Sequence, residues 1–228
     1  MKVWKIEKQI LKEMTDAVAM VSDEIRIMNT PEGWDIKAVD AAHVAMIHLE
    51  IPKDKFIEYD EEECEFIIPV EKIKAFLGVA EGDILIEWEN RIVLRSGTLS
   101  RSFTPIEIIG QIPKVPNIAN NNIITLDTSK ILMAINSVNF VDYIAIKMTN
   151  GGTTVSASGD MDSVEITYPE CKTDEDVTSM YPLDYFRTAL KNLPRNVEFC
   201  MENDYPLVIR SSSLTEIMYL LAPRIESE

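Results

Sequence analysis

Histidine is nearly absent from this chain: His43 and His48 are the only two among 228 residues. Cysteine is almost as sparse. Cys64, Cys171 and Cys200 lie far apart, form no C-x-x-C and are odd in number, which argues against a disulfide framework and fits a reducing compartment. No P-loop, G-x-G-x-x-G, H-E-x-x-H or G-x-S-x-G is present. No run approaches the roughly 18 apolar residues that a membrane-spanning helix needs. The opening MKVWKIEKQILKEM scatters its charges where a signal peptide needs an apolar centre. Positive charge is also scarce. Lysine and arginine number 22 against 38 aspartates and glutamates, a net charge of −16. Such a chain stays dispersed by self-repulsion, and its average charge has the wrong sign for simple adhesion to nucleic acid.

The two histidines are five apart on one predicted strand, which turns them to opposite faces and denies them a shared metal or proton relay. Carboxylates abound without a recognisable metal or glycosidase arrangement. The expectation is a binding protein, not an enzyme, with no catalytic residue, no metal and no cofactor.

What the chain does hold is one pattern written twice. Hydrophobic residues make up 46% and charged residues 26%, ordinary for a globular protein. Disorder is expected only at Glu226-Ser227-Glu228. Gly33–Leu49, GWDIKAVDAAHVAMIHL, reads as a strand over 34–39, a turn at Asp40-Ala41-Ala42 and a strand over 43–49, with alternating side chains. The pattern returns as Gly152–Tyr168, GTTVSASGDMDSVEITY. Gly33 and Gly152, Ile36 and Val155, Ala38 and Ala157, and Ile47 and Ile166 are each 119 positions apart. Further on, Pro69 and Pro182, Ile73 and Phe186, Leu77 and Leu190, Ile84 and Val197, and Leu94 and Leu207 are 113 apart. The second copy therefore has a loop six residues shorter, at a place where deletions are tolerated.

In chain order the first copy reads as a strand at 3–6 and a helix over 8–21 with Ile10, Leu11, Met14, Val18 and Val21 on one face. A strand at 25–28, a turn at 30–33 and the strand pair follow. Next come a short amphipathic segment at 52–59, a solvated acidic run at 60–63, and a strand at 66–68. Pro69 opens a helix over 70–79, and strands at 84–88, 91–95 and 99–109 close the copy. Gly110–Asn122, with two prolines and four asparagines, has no period and reads as a linker. The second copy gives a strand at 123–126, a helix over 128–140, a strand at 143–148 and a hairpin turn at Asn150-Gly151-Gly152. After the repeat strands come an acidic loop at 174–176 and a helix from Tyr181-Pro182-Leu183 to about 193. The class is α+β, with topologically similar domains at 1–110 and 123–228 joined by a linker at 111–122.

Two stretches carry a resemblance. Ala38-Val39-Asp40-Ala41-Ala42-His43-Val44-Ala45 is similar to the A-M-D-x-S-H-V motif of DNA sliding clamps related to proliferating cell nuclear antigen. Tyr219-Leu220-Leu221-Ala222-Pro223-Arg224-Ile225-Glu226 resembles that family's closing Y-x-L-A-P-[KR]-[IV]-E, and Pro206-Leu207 matches a P-L pair in its penultimate strands. With the duplicated order of elements, the likeness covers nearly the whole chain. Its length and terse C-terminus look archaeal.

The resemblance implies the DNA clamp fold, with antiparallel sheets outside and four helices lining an inner face, and three subunits closing head to tail into a ring. It implies a subunit interface between Phe103, Ile106 and Ile108 of one chain and Val164, Ile166 and Tyr168 of the next. Lys8, Lys12, Lys72, Lys74, Lys130, Arg187, Lys191 and Arg195 would face encircled duplex DNA. Counted over 7–21, 70–80, 128–140 and 184–195, the predicted helices with their flanking residues carry −1, +1, +1 and +2, a sum of +3, so the rest of the chain carries −19. Lys12 and Lys191 fall where the family is usually basic, whereas Glu13, Ala19, Ala75 and Gly78 replace bases found in many members. A pocket for the hydrophobic plug of client proteins would be made by Val39, His43, Val44, Met46, Ile112, Pro206, Leu220, Ala222 and Pro223. Leu220 stands where eukaryotic relatives often have tyrosine. The implied role is a processivity factor in a cytoplasmic, nucleoid-associated setting, with no membrane contact. It would tether DNA polymerase, clamp loader, nuclease and ligase as a homotrimer. The alternative is one subunit of a heteromeric clamp with a damage-signalling or specialised role.

Overall fold

The computed structural model describes residues 1–118 and 122–225; the end expected to be disordered and linker residues 119–121 lie outside the described residues. The first copy runs β1 (Lys2–Ile6), α1 (Lys8–Val18), β2 (Glu24–Thr30), β3 (Gly33–Val39), β4 (Ala45–Pro52), a 3-10 turn (Lys53–Lys55), β5 (Phe56–Glu58), β6 (Cys64–Pro69), α2 (Val70–Leu77), β7 (Ile84–Trp88), β8 (Ile92–Ser96) and β9 (Leu99–Phe103). The second runs β10 (Asn122–Asp127), α3 (Thr128–Ile135), β11 (Tyr143–Thr149), β12 (Gly152–Ser158), β13 (Ser163–Tyr168), β14 (Val177–Pro182), α4 (Leu183–Lys191), β15 (Asn196–Met201), β16 (Leu207–Ser212) and β17 (Glu216–Leu221). Two compact units result. The first takes Met1–Asp40, Ile47–Val115 and Ser212–Ile217; of the described residues, the second takes 41–46, 116–118, 122–211 and 218–225.

In the first unit an antiparallel sheet has the order β5-β1-β7-β8-β9, and β2 pairs with β3 on one side and β6 on the other. In the second, an antiparallel sheet has the order β13-β12-β11-β14, and β15 pairs with β10 and β16. Helices pack in pairs within each unit, α1 beside α2 and α3 beside α4. Each forms because apolar residues recur every three or four positions. α1 buries Ile10, Leu11, Met14, Ala17 and Val18, leaves Lys12 exposed and holds Lys8, Glu13 and Asp16 half-buried at its margins. Among the described residues no helix is long and apolar enough to cross a membrane.

The duplication extends to individual hydrogen bonds. Ile27 pairs with Ile36 in the first copy and Ile146 with Val155 in the second, the same register 119 residues later. Thr30 Oγ1 donates to the Gly33 carbonyl at 3.0 Å, and Thr149 Oγ1 to that of Gly152 at 3.1 Å. Both glycines are required: a Cβ on Gly33 would sit 2.2 Å from the Ile51 carbonyl oxygen, and one on Gly152 2.7 Å from that of Tyr168. Pro69 and Pro182 are extended residues capping α2 and α4, and the amides that follow donate to Asp23 and Asp142, again 119 apart, at 2.8 Å. The six extra residues of the first copy accommodate β5, which has no counterpart in the second.

The first unit's core is aromatic. Trp4, Trp34, Phe56, Phe66 and Trp88 form edge-on, stacked and tilted contacts with centroids 5.0–5.8 Å apart. Both buried indoles donate to Asn29 Oδ1, Trp4 at 2.9 Å and Trp34 at 3.0 Å. The amide nitrogen of Asn29 donates in turn to the carbonyls of Asp60 and Glu62. The acidic run is therefore anchored through its backbone, while Glu61 and Glu62 pair at the surface with Lys53 and Lys2.

The structure corrects several expected boundaries. α1 ends at Val18, with only turns to Val21; α2 ends at Leu77 and α3 at Ile135. The strand expected over 99–109 stops at Phe103. Pro105 lacks the amide a ladder needs, and beyond it only Ile106 makes an isolated bridge, to Ile67. The strand expected from His43 begins at Ala45, because His43 has φ +57° and belongs to the turn. The two histidines therefore do not share a strand.

Candidate functional site

The eight expected DNA-facing cations divide by what holds them. Lys8 Nζ donates to the Ala80 carbonyl at 2.6 Å, so the start of α1 closes the end of α2. Arg187 of α4 plays the matching part in the second unit, donating to the carbonyls of Ile135 at 3.1 Å and Val138 at 2.7 Å just beyond α3. A cation there meets the negative end of the helix dipole, and Arg187 is a second donor to the Ile135 carbonyl, which also accepts from the Val138 amide at 3.1 Å. Its side chain is 18% exposed. These two are structural.

The others are more open. Lys12 and Lys74 share Asp16, at 2.6 and 3.8 Å, and Lys72 pairs with Glu71 at 2.9 Å. Arg195 donates twice to Asp127 Oδ2, at 3.0 and 2.9 Å, and holds that carboxyl well below the usual carboxylate range. Lys130 lies over the Tyr168 ring, 5.9 Å from its centroid. Lys191 is exposed and forms no ion pair among the described residues. Exposed pairs of this kind contribute little and exchange readily for another anion such as a phosphate. Glu13 accepts from the Thr215 amide at 3.1 Å and hydroxyl at 2.6 Å and from Ser213. Its carboxylate is spent on the turn between β16 and β17.

The expected partner-pocket residues are mostly half-exposed apolar groups. Val44, Pro206, Ala222 and Pro223 are half-buried, Met46 and Leu220 buried, and His43 exposed at the turn, all in the second unit. Val39 and Ile112, in the first unit, are half-buried. The C-terminal segment is fixed by the Ala222 amide donating to Val44 and the Arg224 amide donating to Met180, both at 2.8 Å. The Arg224 guanidinium lies 4.4 Å from the Tyr143 ring centroid.

The expected interface residues lie at sheet edges. β9 ends one sheet and β13 another, so each offers an unpaired strand edge within its own unit. Val164 and Ile166 are half-exposed on β13. Tyr168 is different: it is 3% exposed and its hydroxyl donates to the Asp127 carbonyl at 2.9 Å, inside its own unit. Phe103 is buried on β9, whereas Ile106 and Ile108 lie past the strand.

One constellation escaped the sequence reading. Asp35 of β3 meets His48 and Glu50 of β4, with the three donor atoms within 4.8 Å of one another. Burial works to raise the Asp35 carboxyl, but hydrogen bonds from His48 and Lys37 together hold it below its ordinary value. The signal available was His-x-Glu on one strand, which puts both side chains on one face; the partner thirteen residues away needed the sheet.

No protein-family model matches the chain. A DNA polymerase sliding clamp of Picrophilus torridus is 30% identical over 192 residues, covering 79% of this chain and 78% of that one. Another, of Methanosarcina barkeri, is 29% identical over 241 residues, 98% of each. Among solved structures, the PCNA of A. fulgidus bound to the C-terminal region of FEN-1 superposes with a TM-score of 0.90 at 24% identity, over all of both chains. The duplicated α+β architecture, the two motifs and these likenesses agree: the chain belongs to the DNA polymerase sliding clamps.

Proposed function

We propose that three copies of this chain close into a ring around duplex DNA and tether client proteins there without chemistry of their own. The observation that carries this is the charge division. The four helices, Lys8–Val18, Val70–Leu77, Thr128–Ile135 and Leu183–Lys191, carry 0, +1, +1 and +1, a sum of +3 against −19 for the remainder, so the molecule favours DNA only on its helices and repels it elsewhere. Holding by enclosure needs no tight phosphate contact, which suits exposed lysines already in weak pairs. β9 and β13 supply the open edges that a head-to-tail ring would join, Phe103 against Val164 and Ile166 of the next copy. Domains at 1–110 and 123–228 flank a linker at 111–122, and the half-exposed apolar residues around Val44, Pro206 and Ala222 receive a client's hydrophobic plug. The FEN-1 segment bound to the A. fulgidus protein supports a nuclease among the clients; polymerase, ligase and clamp loader are the others. Modest affinity suffices because tethering raises local concentration. Burial pushes the Cys64 and Cys200 thiols up to about 11, which leaves them poor nucleophiles at neutral pH. The setting is the cytoplasm, at the nucleoid.

Light scattering on the purified chain tests the assembly. Three times the 25.9 kDa of one chain is expected, and the same trimer should extend polymerase runs on primed circular template. A strict monomer at micromolar concentration that trimerises only with sister subunits points instead to a heteromeric clamp; a monomer under every condition overturns the ring.

A further inference from the structure

We propose that Asp35, His48 and Glu50 form a binding site for one divalent transition-metal ion of the zinc type. His48 Nε2 lies 2.9 Å from Asp35 Oδ1 and 3.8 Å from Glu50 Oε1. Metal–ligand bonds of about 2.0–2.2 Å at tetrahedral angles put neighbouring donors roughly 3.3–3.5 Å apart, and the two distances bracket that spacing. The third pair, Asp35 and Glu50, lies within 4.8 Å, so closing around an ion brings those two carboxylates together by up to about 1.3 Å, within the reach of a rotation of the exposed Glu50 side chain.

The donors start from fixed positions. His48 and Glu50 are two apart on β4, while Ile47, Leu49 and Ile51 between and beside them are fully buried, so β4 is anchored by its other face. Asp35 stands on the adjoining β3. The side chains of Asp35 and His48 are 24% and 20% exposed, enough shelter to strengthen a charge interaction and enough access for an ion to enter. Lys37 holds Asp35 by its other oxygen, Oδ2, which leaves Oδ1 facing the histidine. A second observation points to a cation. A hollow of about 250 Å³ beside the triad is lined by Asp35 and Glu50 and also by Glu32 and Glu216. It has room for water beside Asp35 and Glu50, where those two carboxylates meet it. The imidazole nitrogen selects zinc, cobalt, nickel or copper over calcium and magnesium, which prefer all-oxygen sites.

The experiment titrates the untagged full-length chain with Co²⁺, followed by visible absorption, and with Zn²⁺ by calorimetry. One equivalent per chain with four- or five-coordinate cobalt bands is expected, displaced by zinc and not by millimolar magnesium. His48→Ala and Glu50→Gln should each weaken binding at least tenfold. Glu61→Gln, in the acidic run, should leave it unchanged. Glu50 is exposed, so Glu50→Gln tests the site even if the histidine variant folds poorly. Thiolate charge-transfer bands, equal affinity in Glu50→Gln, or no saturable binding below millimolar metal would each overturn the site.

Discussion

Replacing Arg187 by alanine separates a structural cation from a DNA-facing one. Its guanidinium donates to the carbonyls of Ile135 and Val138 at the end of α3, where the Ile135 carbonyl keeps the Val138 amide as its other donor. Charge-assisted hydrogen bonds contribute about 1.5–3 kcal/mol each. Water can reach the freed carbonyls in part, since the arginine side chain is 18% exposed, so the two together are worth about 2–4 kcal/mol and not the full sum. The third contact, to an Asp184 side chain that is 90% exposed, adds little. For a chain of this size about 2–4 °C of melting temperature follows each kcal/mol, so a fall of roughly 5–15 °C is expected by calorimetry. Arg187→Lys keeps the charge but loses the planar fork and should recover only part of it. Lys191→Ala is the control: its melting temperature should stay within about 1 °C while low-salt DNA retention falls. An Arg187→Ala variant that melts like the parent yet holds DNA poorly would refute the assignment of Arg187 to the α3 terminus.

Asn29→Ala removes the shared acceptor of two buried indoles and the anchor of the acidic run, and should cost about 3–5 kcal/mol in urea unfolding. Gly33→Ala should destabilise by more than about 3 kcal/mol, because its Cβ meets backbone, while Gly82→Ala, with φ +70° and nothing within 4 Å, should cost about 1 kcal/mol. Asp127 is held ionised by hydrogen bonds from Arg195 and Ser129, so its folded pKa lies below its unfolded one. Its contribution is then complete above the unfolded carboxylate value of about 4 and is lost as pH falls below it. Asp127→Asn should melt lower than the parent at pH 7, with the gap closing below about pH 4.

The repeat was legible because two offsets, 119 and 113, governed apolar positions spread over the whole chain, and the strand registers keep the first of them. The ends of elements were less legible. His43 follows Asp-Ala-Ala in an alternating pattern that cannot reveal a positive φ, and Pro105 was the only sign that β9 stops early. The fate of the helix cations was hidden for a different reason. Lys8 and Arg187 look like surface bases until the neighbouring helix end, 72 and 49–52 residues away, supplies their acceptors. Asn29 and the Asp35, His48 and Glu50 triad likewise depend on which strands adjoin.

Retention on DNA of different topology tests enclosure most directly. With its loader, the chain should remain on nicked circular duplex through a wash at about 0.5 M salt, where phosphate attraction is largely screened, and should leave within the dead time once the circle is cut. Equal retention on circular and linear DNA, or loss from both as salt rises, would contradict a clamp that holds by encirclement.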